Sequence, residues 1–243
     1  MLETVLANQP ARLSVTSSIT YNSTSNQAQI AGSWVYNGPR DAALRVMAPM
    51  LALGPSVTSI SDVRWEDVSR TAAFGADAIG CVPGRNWNVY SANLRAFRAS
   101  VGQKAFSRMD AFYRENPEAR VSTILLEAFP NQAARAIPNS ATAFPWRDTA
   151  TFVLMLFTWD PASPTARTTE RAANRLGLDL RSNFAAASGY AGGLAIYANY
   201  AHGDETLEQV FTKANLPRLA RLKARWDPTN VFSYNIPLPN RYP

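Results

Sequence analysis

The chain has 243 residues, 47% of them hydrophobic and 17% charged, a composition that supports a buried core and excludes an intrinsically disordered chain. A single cysteine, Cys81, and a single histidine, His202, exclude an intrachain disulfide, a cysteine metal cage and any site that needs two imidazoles. The net charge of +6 rests on 21 Arg and only 3 Lys scattered along the chain, so neither a nucleic-acid partner nor a membrane one is expected, and the longest apolar run, Phe152 to Phe157, is far too short to span a bilayer.

Met1-Leu2-Glu3-Thr4 shows no signal-peptide pattern. In chain order, Leu13, Val15, Ile19 and Tyr21 share one parity, and Ala28, Ile30, Trp34 and Tyr36 share another. With the polar stretch Asn22 to Asn26 between them, they predict two antiparallel strands joined by a turn. Asn22-Ser23-Thr24 within it is a glycosylation sequon, relevant only with a secretory signal. Pro39 near a helix start, the stripe Leu44, Met47 and Leu51, and Gly54-Pro55 beyond it predict a helix that carries Pro49 as an internal fault. Val57 to Val63 reads as a third strand, whereas residues 75–90 show no assignable period.

Phe106, Met109 and Tyr113 place a helix over Gln103–Tyr113. Val121–Phe129 and Thr151–Trp159 are β-type runs flanking a loop from Pro130 to Pro145, and Thr169–Phe184 is helical. Gly189 to Gly193 reads as a turn entering a strand at Leu194–Tyr200, and Thr206 to Trp226 as one or two helices broken near Pro217. On the last helix, Leu216, Leu219, Leu222 and Trp226 form the apolar stripe, leaving Arg218, Arg221, Lys223 and Arg225 on the solvated side. Asp227 to Asn230 is a turn before a Pro-rich end. Strands with local connections and covering helices predict an α+β fold: an antiparallel sheet covered by helices on one face, with a C-terminal helical segment.

Motifs for phosphate loops, dinucleotide fingerprints and nucleophile elbows are absent. His202-Gly203-Asp204-Glu205 reads as a helix N-terminus rather than a metal site, because Asp204 and Glu205 suit the positive end of a helix. Two features stand out. On the expected strand Tyr197-Ala198-Asn199-Tyr200, alternation turns Tyr197 and Asn199 to one face and Tyr200 to the other. Glu127 closes the apolar run Ile124-Leu125-Leu126, so its carboxylate lies either at a wet edge or in a pocket that raises its proton affinity.

The stretch Tyr197-Ala-Asn-Tyr-Ala-His-Gly-Asp-Glu205, with Asn215-Leu-Pro-Arg and Arg-Trp-Asp-Pro-Thr-Asn-Val-Phe232, resembles the end of berberine-bridge-enzyme-like FAD-linked oxidases of the vanillyl-alcohol-oxidase superfamily, the fungal branch above all. Leu125-Leu-Glu-Ala-Phe129 and the segment from Ile137 to Asp148 agree with it. The resemblance implies residues 1–190 as a substrate-type α+β domain and 191–243 as the C-terminal segment, with the family's N-terminal flavin-binding half not represented. It also implies Tyr197 as the active-site base, Glu127 as a substrate-facing carboxylate, and Asn199 with Tyr200 on the cofactor side. FAD is the implied cofactor, without tight or covalent attachment to this chain alone.

Trp146 stands where relatives often carry histidine after Phe-Pro. Expected partners are a small-molecule substrate and either a separate flavin-binding chain or a second copy. Relatives are often secreted. Aromatics placed for a pocket are Trp34, Trp87, Tyr90, Phe144 and Trp146. The chain then reads as the substrate-binding portion of an oxidase acting on an apolar or ring-bearing metabolite. The alternatives are a cofactor-free binding module and an inactive remnant.

Overall fold

The computed structural model describes residues 1–75 and 83–242, and only the backbone of residues 73 and 74. Cys81 and part of the 75–90 stretch lie outside the described residues. Five strands, β1 (Leu13–Asn22), β2 (Gln27–Tyr36), β3 (Asn86–Leu94), β4 (Thr123–Ala128) and β5 (Thr151–Trp159), form one sheet in the order β2-β1-β4-β5-β3. Each pairing is antiparallel. The helices are α1 (Leu2–Ala7), α2 (Arg40–Leu51), α3 (Val68–Thr71), α4 (Ala99–Glu115), α5 (Gln132–Arg135), α6 (Ala166–Ala186), α7 (Leu207–Phe211) and α8 (Leu216–Trp226). This is the α+β class expected. Among the described residues no helix is long and apolar enough to cross a membrane.

The core lies between one sheet face and the two long helices, α4 and α6. Alternation builds it: Leu13, Val15 and Ile19 of β1, Ile124 and Leu126 of β4, and Val153, Met155 and Phe157 of β5 point one way. Met109, Phe112, Leu176, Leu180 and Phe184 come down on them at helical spacing. Tyr90 of β3 packs so closely under α6 that a Cβ on Gly177 would meet its ring at 2.2 Å. Glycine is required there by contact, not by backbone conformation.

Several expectations need correction. Val57–Val63 forms no strand and is exposed throughout, because alternation interrupted by Ser56, Ser59 and Ser61 offers no continuous apolar edge to a partner. Ile30 sits opposite Ile19 as the pattern requires, yet is 71% exposed at the outer strand β2. The unassigned stretch contributes β3.

Leu194–Tyr200 is not a strand either. The segment follows the outer edge of β3, with the Asn93 amide donating to the Ala195 carbonyl at 2.8 Å and the Ser91 hydroxyl to the Tyr200 carbonyl at 2.8 Å. Five residues of segment are spent on two of strand. The surplus bulges into a 3₁₀ turn at Ala198–Tyr200, which lifts its side chains over the uncovered sheet face.

The break in the C-terminal helices comes at Thr212, in a left-handed conformation (φ 62°), and Pro217 sits in the first turn of α8. Of the α8 stripe only Leu216 is buried, and Trp226 is 73% exposed. Lys223 is not on the solvated side. It reaches the Asp227 carboxylate and donates to the Phe232 carbonyl at 2.7 Å.

Candidate functional site

On the sheet face away from α4 and α6, Thr16, Glu127, Phe152 and Asn93 lie in register across β1, β4, β5 and β3. The 3₁₀ turn overhangs this row. Tyr200 reaches inward across β3 and β5, and its hydroxyl donates to Glu127 Oε2 at 2.9 Å. Half-burial raises the proton affinity of Glu127 above that of an ordinary carboxylate, and the phenol hydrogen bond partly offsets the rise. Burial and the adjacent carboxylate push the Tyr200 phenol well above its ordinary value, so this hydroxyl stays protonated and acts as the donor.

Tyr197 stands edge-on to Tyr200, ring centroids 5.1 Å apart, rather than on the opposite face. Loss of the strand overturns the alternation on which that opposition rested. The Asn199 amide donates to the Tyr197 hydroxyl at 2.8 Å, which leaves the Tyr197 proton free to be given to another acceptor. Phe144 and Phe152 pack edge-on against Tyr197 at 5.9 and 5.7 Å, and Phe129 lies 6.4 Å from Phe152. All four residues singled out from the sequence are thus brought to one place: Glu127 and Tyr200 as one hydrogen-bonded pair, Tyr197 and Asn199 as another, beside an aromatic wall.

Of the expected pocket aromatics only Phe144 joins this wall. Tyr90 and Trp34 belong to the opposite, helix-covered face. Trp87 is 41% exposed at the start of β3. Trp146 is a bracket, its indole N–H shared between the Gln209 and Val210 carbonyls at 3.0 Å each. Phe152 and Phe129 went unrecognised. The run Thr151–Trp159 is apolar on both parities, so only the register with Glu127 reveals that Phe152 faces the site.

The elements behind the turn hold it by ion pairs and hydrogen bonds. Arg181 of α6 forms two 2.6 Å hydrogen bonds to the Asp204 carboxylate and a third, at 3.0 Å, to Glu205, whose side chain is 1% exposed. The guanidinium holds the Asp204 carboxyl below the usual carboxylate range. Glu205 also accepts the His202 and Gly203 amides at 3.1 and 2.9 Å. Asp204 and Glu205 are therefore a latch, not a helix cap; α7 is capped by Thr206, reciprocally with Gln209. His202 is structural, stacked on Tyr90 at 4.1 Å, with Nδ1 2.8 Å from the Val89 carbonyl.

The N-termini of the two longest helices are already occupied. Glu3 accepts the Ala99 amide at 2.8 Å, and Glu118 accepts the Thr165 hydroxyl at 3.0 Å and that of Thr169. A carboxylate thus already stands at each of these positive helix ends, where it disfavours a second anion.

Comparison with known proteins adds the following. Residues 196–239 match the family described as berberine and berberine like. The chain is 43% identical over 236 residues to the FAD-linked oxidoreductase OXR1 of Pyricularia oryzae, covering 96% of this chain and 46% of that protein. It is 41% identical over 236 residues to the FAD-linked oxidoreductase srdI of Neurospora crassa, with the same coverage of 96% and 46%. Among solved structures, a BBE-like protein of Arabidopsis thaliana superposes with a TM-score of 0.77 at 18% identity, over 98% of this chain and 53% of that one. Wild-type BBE-like 1 of Physcomitrella patens gives 0.72 at 17% identity, over 100% and 50%. The chain spans about half the length of the curated relatives it matches.

Proposed function

We propose, from the premise that this chain is a berberine-bridge-enzyme-like relative of FAD-linked oxidoreductases, that its open sheet face is the substrate side of an oxidase acting on a small, ring-bearing alcohol or phenol. In this reading residues 1–190 form the substrate domain and 191–243 the segment that closes it. The observation that carries the reading is the Tyr200–Glu127 hydrogen bond of 2.9 Å beside the wall of Phe152, Phe144 and Tyr197.

The described residues fit one wall of a flavin site. Asn199 and Tyr197 offer polar atoms at the exposed rim, whereas the carboxylates of Glu3 and Glu118 stand at the long-helix N-termini that would otherwise suit phosphates. FAD, when bound, supplies the two-electron acceptor that takes a hydride from the substrate carbon. The chain's part is the proton. The substrate hydroxyl donates to the Tyr200 oxygen while the Tyr200 proton moves to Glu127 Oε2, whose raised proton affinity suits it to receive it. Tyr197, its oxygen already occupied by Asn199, donates to the substrate oxygen and orients it. The aromatic wall excludes water from one side. Trp226, Phe232 and Tyr234, 73, 79 and 97% exposed, offer an apolar surface for the rest of such an oxidase.

Single-turnover reduction of the flavin by a hydroxybenzyl alcohol, in an oxidase that joins this chain to a flavin-binding half, tests this. Glu127→Gln and Tyr200→Phe should each slow reduction by about 10²-fold or more, the usual scale of general-base catalysis. Unchanged reduction in both would remove the pair from the chemistry. Ligand binding at the same wall without any reduction would favour a cofactor-free binding module.

A further inference from the structure

Beside the candidate site, the loop from Arg135 to Asp148 encloses a depression of about 270 Å³ lined by Arg135, Ile137, Pro138, Asn139, Arg147 and Asp148. Its charge is unbalanced. Both Asp148 oxygens are engaged, one with Arg95 Nε at 2.6 Å and the other with the Tyr190 hydroxyl at 3.0 Å. Neither Arg135 nor Arg147 has a carboxylate within ion-pair distance among the described residues. Arg147 gives one Nη2–H to the Thr142 hydroxyl at 2.7 Å, while its Nε, buried from solvent, finds no acceptor among the described residues. A buried charged donor without an acceptor is costly, and native structures rarely leave one so.

The depression lined by residues 61–64, 67, 70 and 71 is a useful contrast, because its arginines are all answered: Arg64 by Glu66 and Asp67, and Arg70 by Asp67. The loop at 135–148 is also pinned from below. Asn215 donates to the Asn139 and Thr142 carbonyls at 3.3 and 3.4 Å, and Arg218 to the Ser140 carbonyl at 3.1 Å. The two guanidiniums therefore sit on a braced frame, with Ile137 and Pro138 as an apolar flank.

We infer that Arg135 and Arg147 form a binding site for an oxyanion, the carboxylate or phosphate group of a small ligand. Planar guanidiniums match such groups in pairs of parallel hydrogen bonds, and the Nη–H groups of Arg135 and Arg147, which meet no carboxylate among the described residues, supply the donors. The flank of Ile137 and Pro138 favours an organic body behind the anionic head over a bare ion. The site is independent of any flavin.

The test is calorimetry of the chain with inorganic phosphate and with phenyl phosphate, at ionic strength held constant by chloride, alongside NMR of the arginine Nε–H signals. Saturable one-to-one binding is expected, with the Arg147 Nε–H signal moving, and Arg135→Gln and Arg147→Gln each weakening binding about tenfold. Arg167→Gln, on exposed α6 surface, should leave it unchanged. Should Arg147→Gln fail to fold by circular dichroism, Arg135→Gln, at an exposed position, carries the test alone. Phenyl phosphate binding more tightly than phosphate assigns the anion to the head of an organic ligand; equal binding assigns the site to a free oxyanion. A response that never saturates, or that survives both substitutions, overturns the site.

Discussion

The two faces of one sheet have opposite characters. Toward α4 and α6 the strands present Val15, Ile124, Met155 and Phe157, each at most 1% exposed, and the one tyrosine of β3 is wedged against a glycine. Toward the other side the same strands present Thr16, Glu127 and Phe152, with two tyrosines and an asparagine leaning over them from a turn that is not a strand. The first face is closed by packing and carries the stability. The second holds a carboxylate whose proton affinity is raised, and an aromatic wall with no helix over it among the described residues. The packed core and the proposed site are thus separated by alternation along β4 and β5, one residue apart.

Substitutions on the two faces should therefore part company. Largest is Phe157→Ala, which opens a cavity in the closed face and should cost about 3–5 kcal/mol in urea unfolding while leaving the Glu127 titration in place. A shifted titration would mean the faces are coupled. Next, Arg181→Met strands the buried Glu205 carboxylate and should cost about 3 kcal/mol. It should also loosen the 198–200 turn, read as faster amide exchange there; stability lost without faster exchange would show that the latch does not position the site. Gly177→Ala, usually neutral or better in a helix, should here cost about 1–3 kcal/mol, because Tyr90 must leave its place between α6 and His202. Stabilisation would show that the Tyr90 ring yields to the added methyl without cost.

Smallest is a pH effect. The proton affinity of Glu127 is raised by folding, so the folded state binds that proton more tightly than the unfolded one. Its contribution to stability is full below the ordinary carboxylate value and is lost as pH rises through the raised one. Glu127→Gln should remove that decline from a series of unfolding curves, and an identical decline in the variant would assign it to other groups.

Much of the closed face was legible in the sequence, because its signals are local. The parity of Leu13, Val15 and Ile19 and the 3- and 4-residue spacing of Phe106, Met109 and Tyr113 each report their own burial. The open face was legible by residue identity but not by geometry. Tyr197, Asn199, Tyr200 and Glu127 were singled out, yet alternation set Tyr200 against Tyr197, because no short-range pattern reveals that five residues of one segment must pass two of β3. Glu127 and Tyr200 are 73 positions apart, and only the register of β4, β5 and β3 joins them. The latch was missed for a related reason. Asp204 and Glu205 precede a helix as capping residues do, and their actual partner, Arg181, lies a full helix upstream.

The central claim is that Tyr200 and Glu127 act as one proton-holding unit. Carbon-13 NMR of the Glu127 side-chain carboxyl, followed through a pH titration in the unaltered chain and in Tyr200→Phe, tests it most directly. Losing the phenol hydrogen bond, which favours the ionised form, should move the Glu127 midpoint upward, whereas Tyr197→Phe should leave it unmoved. A midpoint unchanged in Tyr200→Phe, or moved equally by both substitutions, would contradict the pairing.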